Sequence, residues 1–485
     1  MMKKHMNVTK ILPLIILFIV VAACARNASS EAGTPVNTPQ PTTPALVDNG
    51  GQNETTPEDI EMETEEDAEP EQETAAYPVY DLGGRVVKWA MWGYSEEQMM
   101  QSEAGRNWLN RKTMIEQEFN CTIQMLSMPS DTYFDTIYQA IAAGDTICDI
   151  INLPAPHTFT APLKGGYLID HAQFGLDLDS PYLDKQIMDL ITYGDRVFGI
   201  APRQDSVLIN QVCYFNKSLV SQAGFDPDDI YRWQEEGAWT WDRFREIAIR
   251  ISELTIGDTR VWGTTQNDHL LFENLVVSNG TDLFLSTSDG IRFNGSDPRV
   301  LETIEFIKDL YDNNVFNLDN AFGQAEMFYA GTVGFVFDYL ERVQWDGNQR
   351  SMTDDYGIVM IPKGPQADDY RAMNNWYGFD AVLTHAPEPE KLAALLFARM
   401  MPYETNIDWE IVFESYVRDE GSLAVFEMIP SRAYVTPTAM GAGPRDDFRW
   451  SRWPLILNGS ATAASVMEEV QSSYDQSLRD EWEIQ

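Results

Sequence analysis

Short apolar runs alternate along the chain with longer stretches in which apolar positions return every three or four residues. Val86 to Trp92 is a strand-like run behind a Gly83-Gly84 turn. Ser102 to Phe119 places Trp108, Met114 (or Ile115) and Phe119 at helical spacing. Cys121 to Met128 alternates and predicts a second strand. Thr132 to Ala143 predicts an amphipathic helix with Gly144 in the C-terminal capping position. Asp149 to Leu153 predicts a third strand. Strands that alternate with helices of this length predict parallel βαβ units in an open α/β sheet. The same alternation predicts strands at Val197–Ile200, Val207–Phe215, Val333–Phe337 and Tyr356–Ile361, the last stopped by Pro362. Helices are expected from Trp241 to about Leu254 with Thr240 as N-cap, and over 297–313, 325–330, 388–400 and 461–482.

The first 24 residues break this pattern. Lys3, Lys4 and Lys10 precede the apolar run Ile11 to Val21, which is shorter than the ~20 residues a membrane-spanning helix needs. Small residues then lead to Cys24, which resembles a bacterial lipobox and implies a lipidated, membrane-anchored Cys24. Residues 25–79 read as a disordered tether: Pro, Thr, Ser and Gly first, then eleven carboxylates and no cation from Glu54 to Glu73. Net charge is −41 over 485 residues, and the tether accounts for only part of it, so the body is acidic as well. That excludes a general nucleic-acid binder, which needs a basic face. Cys121, Cys148 and Cys213 lie in apolar runs and read as small buried residues rather than a bridge or metal site.

In order along the body, several motifs resemble the extracellular solute-binding proteins of family 1, the group that includes maltodextrin-binding protein. Ala140-Ile141-Ala142-Ala143-Gly144-Asp145 with Cys148-Asp149-Ile150-Ile151, Gly165 to Asp170, Gly194 to Pro202, Tyr214 to Leu219 and Thr240-Trp241-Asp242 each match a family segment. Each is weak alone; their order across most of the body carries the resemblance. It implies a periplasmic-binding-protein-like type II fold, two α/β lobes joined by hinge strands. Lobe 1 would take residues 80–202 with 376–422, and lobe 2 residues 203–375 with 423–485. It also implies a small solute, with a sugar or oligosaccharide expected, trapped between the lobes of a monomer. The loaded form would be accepted by the permease subunits of an ABC importer at the outer face of the cytoplasmic membrane.

A receptor that closes on its ligand needs contacts from both lobes, at the carboxyl ends of the strands. There the first strand delivers Trp92 and Tyr94, and the third Asn152 and His157. The family positions that supply Trp, Asp and Arg to maltodextrin fall on Leu153, Pro156 and His157, so maltodextrin itself is disfavoured. Lobe 2 offers Asp268, then Asp338 and Tyr339 after a strand, Trp376 at the second hinge crossing and Trp450 before the last helix. Rings cover the C–H faces of a pyranose, while amides and carboxylates take its hydroxyls. No cofactor, metal or catalytic residue is assigned. The five histidines show no metal-ligand spacing, and neither a nucleophile elbow nor a phosphate loop occurs. The rival readings are a secreted glycoside hydrolase and a two-lobed sensor.

Overall fold

The computed structural model describes residues 77–482 except 101–102, 204–208, 267–268, 288–289, 317, 319–324, 345–350 and 402–416. The leader, Cys24 and the tether up to residue 76 lie outside the described residues. Tyr77, which the sequence assigned to the tether, is docked: its hydroxyl donates to Glu118 at 2.9 Å and its ring stacks on Phe119.

Strands β1 (Arg85–Trp92), β2 (Cys121–Met128) and β3 (Ile150–Leu153) form where the apolar runs predict them. The intervening helix Tyr133–Ala143 ends at Gly144, whose φ of 82° and backbone bonds to Ala140 and Ile141 close the last turn. Further on come β4 (Gln211–Asn216), β5 (Trp262–Thr264), β6 (Val333–Tyr339), β7 (Tyr356–Val359), β8 (Ala372–Asn374), β9 (Phe379–Val382) and β10 (Ala433–Val435).

Two four-stranded sheets result. In lobe 1 the order is β9-β3-β1-β2, with β1 parallel to both neighbours and β9 returning antiparallel to β3. In lobe 2 the order is β7-β4-β6-β5, with only β5 and β6 parallel. Every residue of β4 and β7 is buried, as expected of strands covered on both faces. Val197–Ile200 does not form the expected strand. Arg196–Val197 pairs only in a hairpin, and Ile200 reaches the sheet through one bridge to Asp380, where Gly199 lies under the Phe379 ring. Thr240 holds the N-cap position of helix Trp241–Ser252 but makes no side-chain cap; backbone pairing of Trp239 and Trp241 with Lys363 fixes that entrance instead. Trp241 stacks on Phe306 at 4.5 Å and donates to Ser278, so the motif it belongs to is structural.

The three remaining cysteines are free and buried, and burial pushes the thiols of Cys121 and Cys148 up to about 11 and about 12. They stay protonated and act as small apolar groups.

Between the sheets, β8 pairs in parallel with β10. The Gln186 amide clamps the outer edge of β10, donating to Ala433 at 2.9 Å and accepting from Val435 at 3.0 Å. Just beyond, Asp282 accepts from the hydroxyls of Thr436 and Thr438 and from the Leu283 amide. Burial raises the Asp282 pKa from 3.8 to about 6, the surrounding donors offsetting only part of that cost. The folded protein therefore holds a proton that the unfolded chain releases between these values, and this contribution to stability is lost as pH rises through the window. Relative to Asp282→Asn, the parent is expected to gain about 2 kcal/mol between pH 7 and pH 4. Urea unfolding of both proteins across that range checks it; a pH-independent difference overturns it.

Candidate functional site

The carboxyl ends of β1 and β3 and the turns after them carry four of the expected residues. Trp92, the last residue of β1, is half-buried, and its indole N–H donates to the Ser130 carbonyl at 3.1 Å. Gly93 turns the chain at a φ of 73°, which a side chain rarely adopts, and presents Tyr94. Burial raises the Tyr94 phenol pKa, and so does the nearby Glu341 carboxylate, which belongs to the other lobe. Asn152 stands in register with Asp380 of β9 and donates to its Oδ1 at 2.9 Å, beside the indole N–H of Trp89 at 3.2 Å. Its side chain is thus already engaged inside lobe 1. His157 sits in the turn Pro156–Thr158 that follows β3.

In lobe 2, β6 ends with Asp338 and Tyr339. Asp338 is buried, takes Arg342 Nε at 3.1 Å and accepts from the Tyr339 amide at 2.8 Å. It holds the following turn, Leu340–Gln344, in place. Tyr339 donates to Asn375 Oδ1 at 2.7 Å, the same oxygen that takes the Gln211 amide at 2.9 Å. Asn375 in turn donates to Glu273 at 3.1 Å, and Glu273 pairs with Arg445 at 2.6 Å. This chain of polar groups ties the end of the lobe 2 sheet to the segment between β8 and β9, where Asn375 lies. Trp376 follows it, 41% exposed.

Glu273 projects from helix Leu270–Ser278, in which every residue is buried. That helix starts from His269 at a φ of 69°, a left-handed conformation that costs a non-glycine residue on the order of 1–3 kcal/mol and often marks a working site. The imidazole is wedged in place. Trp453 donates to the Gln266 oxygen at 3.2 Å, which turns the Gln266 amide nitrogen toward the His269 ring. Burial, with the Arg445 charge, lowers the His269 pKa to about 3, so the ring is neutral. Trp450 meets it edge-on, centroids 5.4 Å apart. A π-turn over Phe448–Arg452 lifts Trp450 out of the helical path, leaving it 45% exposed. Asp268 lies outside the described residues.

Gln211, Glu273, Asn375 and Arg445 were not among the residues chosen from sequence. Only Asn375 carried a signal, in the Asn374-Asn375-Trp376-Tyr377-Gly378 run. His269 lay in the patch from which Asp268 was chosen. Among the described residues no three His, Cys, Asp or Glu side chains converge as a metal site, and no helix is long and apolar enough to cross a membrane. The arrangement offers hydrogen-bonding groups and exposed rings.

A sequence model of the bacterial extracellular solute-binding proteins matches residues 111–401. No curated protein matches the chain. Solved structures similar to it include a cyclic alpha-maltosyl-1,6-maltose binding protein from Arthrobacter globiformis, at 15% identity and a TM-score of 0.59 over 82% of this chain and 99% of that one. A sugar transporter from Rhizobium etli in an open conformation gives 15%, 0.57, 80% and 98%. UgpB from Mycobacterium tuberculosis in complex with glycerophosphocholine gives 14%, 0.56, 81% and 98%. At such identities the likeness establishes the fold: two α/β lobes of the periplasmic-binding-protein-like type II kind, as the sequence motifs imply.

Proposed function

We propose that this chain, which belongs to the bacterial extracellular solute-binding protein family, captures a sugar or short oligosaccharide between its two lobes and delivers it to the permease subunits of an ABC importer. It is a receptor, not an enzyme, and a lipid on Cys24 holds it at the outer face of the cytoplasmic membrane. The observation that supports this best is the junction of Tyr339, Asn375 and Glu273 beside Trp376 and Trp450. Polar groups there are fixed by one another, and two large rings stay exposed within reach of the hinge. Fixed amides and carboxylates recognise hydroxyls with little ordering cost, and flat rings cover the apolar faces of a sugar. The cyclomaltosyl-maltose and sugar-transport neighbours favour the same class.

Tryptophan fluorescence titration with a saccharide panel tests the reading. Saturable quenching by at least one sugar is the expected result; a response confined to amino acids or peptides overturns it. In the same titration Trp450→Ala is expected to weaken binding about tenfold or more, each tenfold being about 1.4 kcal/mol. Unchanged affinity would remove Trp450 from the site.

A further inference from the structure

A cavity of about 360 Å³ opens in lobe 2 between helix Trp241–Ser252, helix Pro298–Asp312 and the segment that follows β7. Its apolar lining is a ring pair: Phe306, half-buried, lies flat on buried Trp241 with centroids 4.5 Å and planes 18° apart. Its polar lining is held in place yet unengaged. Glu302 accepts the Asn279 amide at 3.0 Å on one oxygen and the Gln366 amide at 3.4 Å on the other, which leaves each oxygen a further lone pair. Lys363 is fixed by its backbone, which pairs with Trp239 at 3.0 Å and Trp241 at 3.1 Å, while its Nζ stands 5.8 Å from the Tyr370 ring centroid. Among the described residues Glu302 and Lys363 line one cavity without closing on each other as an ion pair. Thr240 makes no cap bond with its hydroxyl, and exposed Asp242 follows it.

None of these side chains belongs to the junction of Tyr339, Asn375 and Glu273. Helix Leu270–Ser278 stands between the two places. Glu273, near its start, serves the junction; Ser278, its last residue, takes the Trp241 indole N–H at 3.0 Å and the Gly364 amide at 2.9 Å. Opposite charges held apart on one cavity suit a ligand that donates on one side and accepts on the other, as sugar hydroxyls do. The ring pair suits the C–H face of a pyranose. Two carboxylates against one ammonium leave the lining at a net charge of −1, which works against a ligand carboxylate. The volume lies at the low end of the ~300–1,000 Å³ usual for small-molecule sites, enough for one or two sugar rings. We infer that this cavity is a second saccharide site, which holds a pyranose against Phe306 with its hydroxyls between Glu302 and Lys363. It goes beyond the receptor reading and does not depend on it.

The test is fluorine NMR of the full chain labelled with fluorotryptophan, the Trp241 and Trp450 resonances being assigned by Trp241→Phe and Trp450→Ala. Glucose, galactose, mannose, maltose and cellobiose are the probes, with glycine and phenylalanine beside them. The expected result is a saturable shift of the Trp241 resonance with at least one sugar. Lys363→Met, which keeps both backbone pairings, and Glu302→Gln are each expected to weaken that response about fivefold or more and to leave any Trp450 response within about twofold. No Trp241 shift with any sugar, a shift with the amino acids alone, or a shift that both variants leave unchanged or weaken only together with the Trp450 response overturns the second site. The Trp450 resonance reports the junction separately, so either site can fail while the other stands.

Discussion

Replacing Trp89 with alanine is expected to destabilise the protein by about 3–5 kcal/mol, the usual cost of removing a buried tryptophan from a core. Trp89 is 1% exposed at the middle of β1, edge-on to Trp108 at 5.8 Å and under the Arg399 guanidinium. The loss is more than volume. Its indole N–H is one of two side-chain donors to Asp380, a carboxylate whose pKa burial raises. Trp89→Phe separates the two contributions: it keeps most of the packing and removes only the donor, at about 1–3 kcal/mol. Urea unfolding followed by circular dichroism measures both, and an unchanged stability in Trp89→Phe would show that the Asp380 bond contributes nothing.

Arg445→Ala is expected to cost about 3 kcal/mol and to weaken solute binding together with stability. Glu273 is nearly fully buried, and without Arg445 its remaining partner among the described residues is the Asn375 amide. Breaking a buried pair from one side leaves a charge that the interior cannot solvate, whereas removing both charges is far milder. The double variant Arg445→Met with Glu273→Leu should therefore recover much of the stability while binding stays weak, because Asn375 and Tyr339 lose their fixed orientation. Recovery of binding along with stability would show that the ion pair supports the lobe and not the site. Denaturation midpoints and saccharide titrations on the same preparations decide between these outcomes.

The legibility of the chain follows the range of the forces involved. The first three strands and Gly144 were readable because each is fixed by neighbours within a dozen residues: a short apolar run, a glycine that alone tolerates the turn. Helix Glu420–Arg432 was missed because Gly421 and Pro430 are local breakers, and packing on β7 overrides them. The site was harder still. Asn375 meets Glu273 across 102 positions and Glu273 meets Arg445 across 172, so no local pattern announces either contact. Exposed rings were found at Trp376 and Trp450 because tryptophan beyond a strand or before a helix is conspicuous in a sequence. The supporting polar network, built from ordinary Gln, Asn, Glu and Arg residues, was not. Asn152 and Asp338 show the converse, since polar residues at strand ends serve fold as readily as ligand. Their partners, Asp380 and Arg342, are visible only in three dimensions.

At the start of the described residues, Tyr77 bonds Glu118, Tyr80 bonds Glu390 at 2.9 Å, and Arg85 bonds Asp149 and the Pro387 carbonyl. All of these rivets are driven into the first lobe. A pull applied at Tyr77 is therefore borne by that half, spread over two helices and the start of its inner strand β1. In the receptor proposed above, the other half would be spared that load and would turn on its hinge at the same energetic cost whatever the tension.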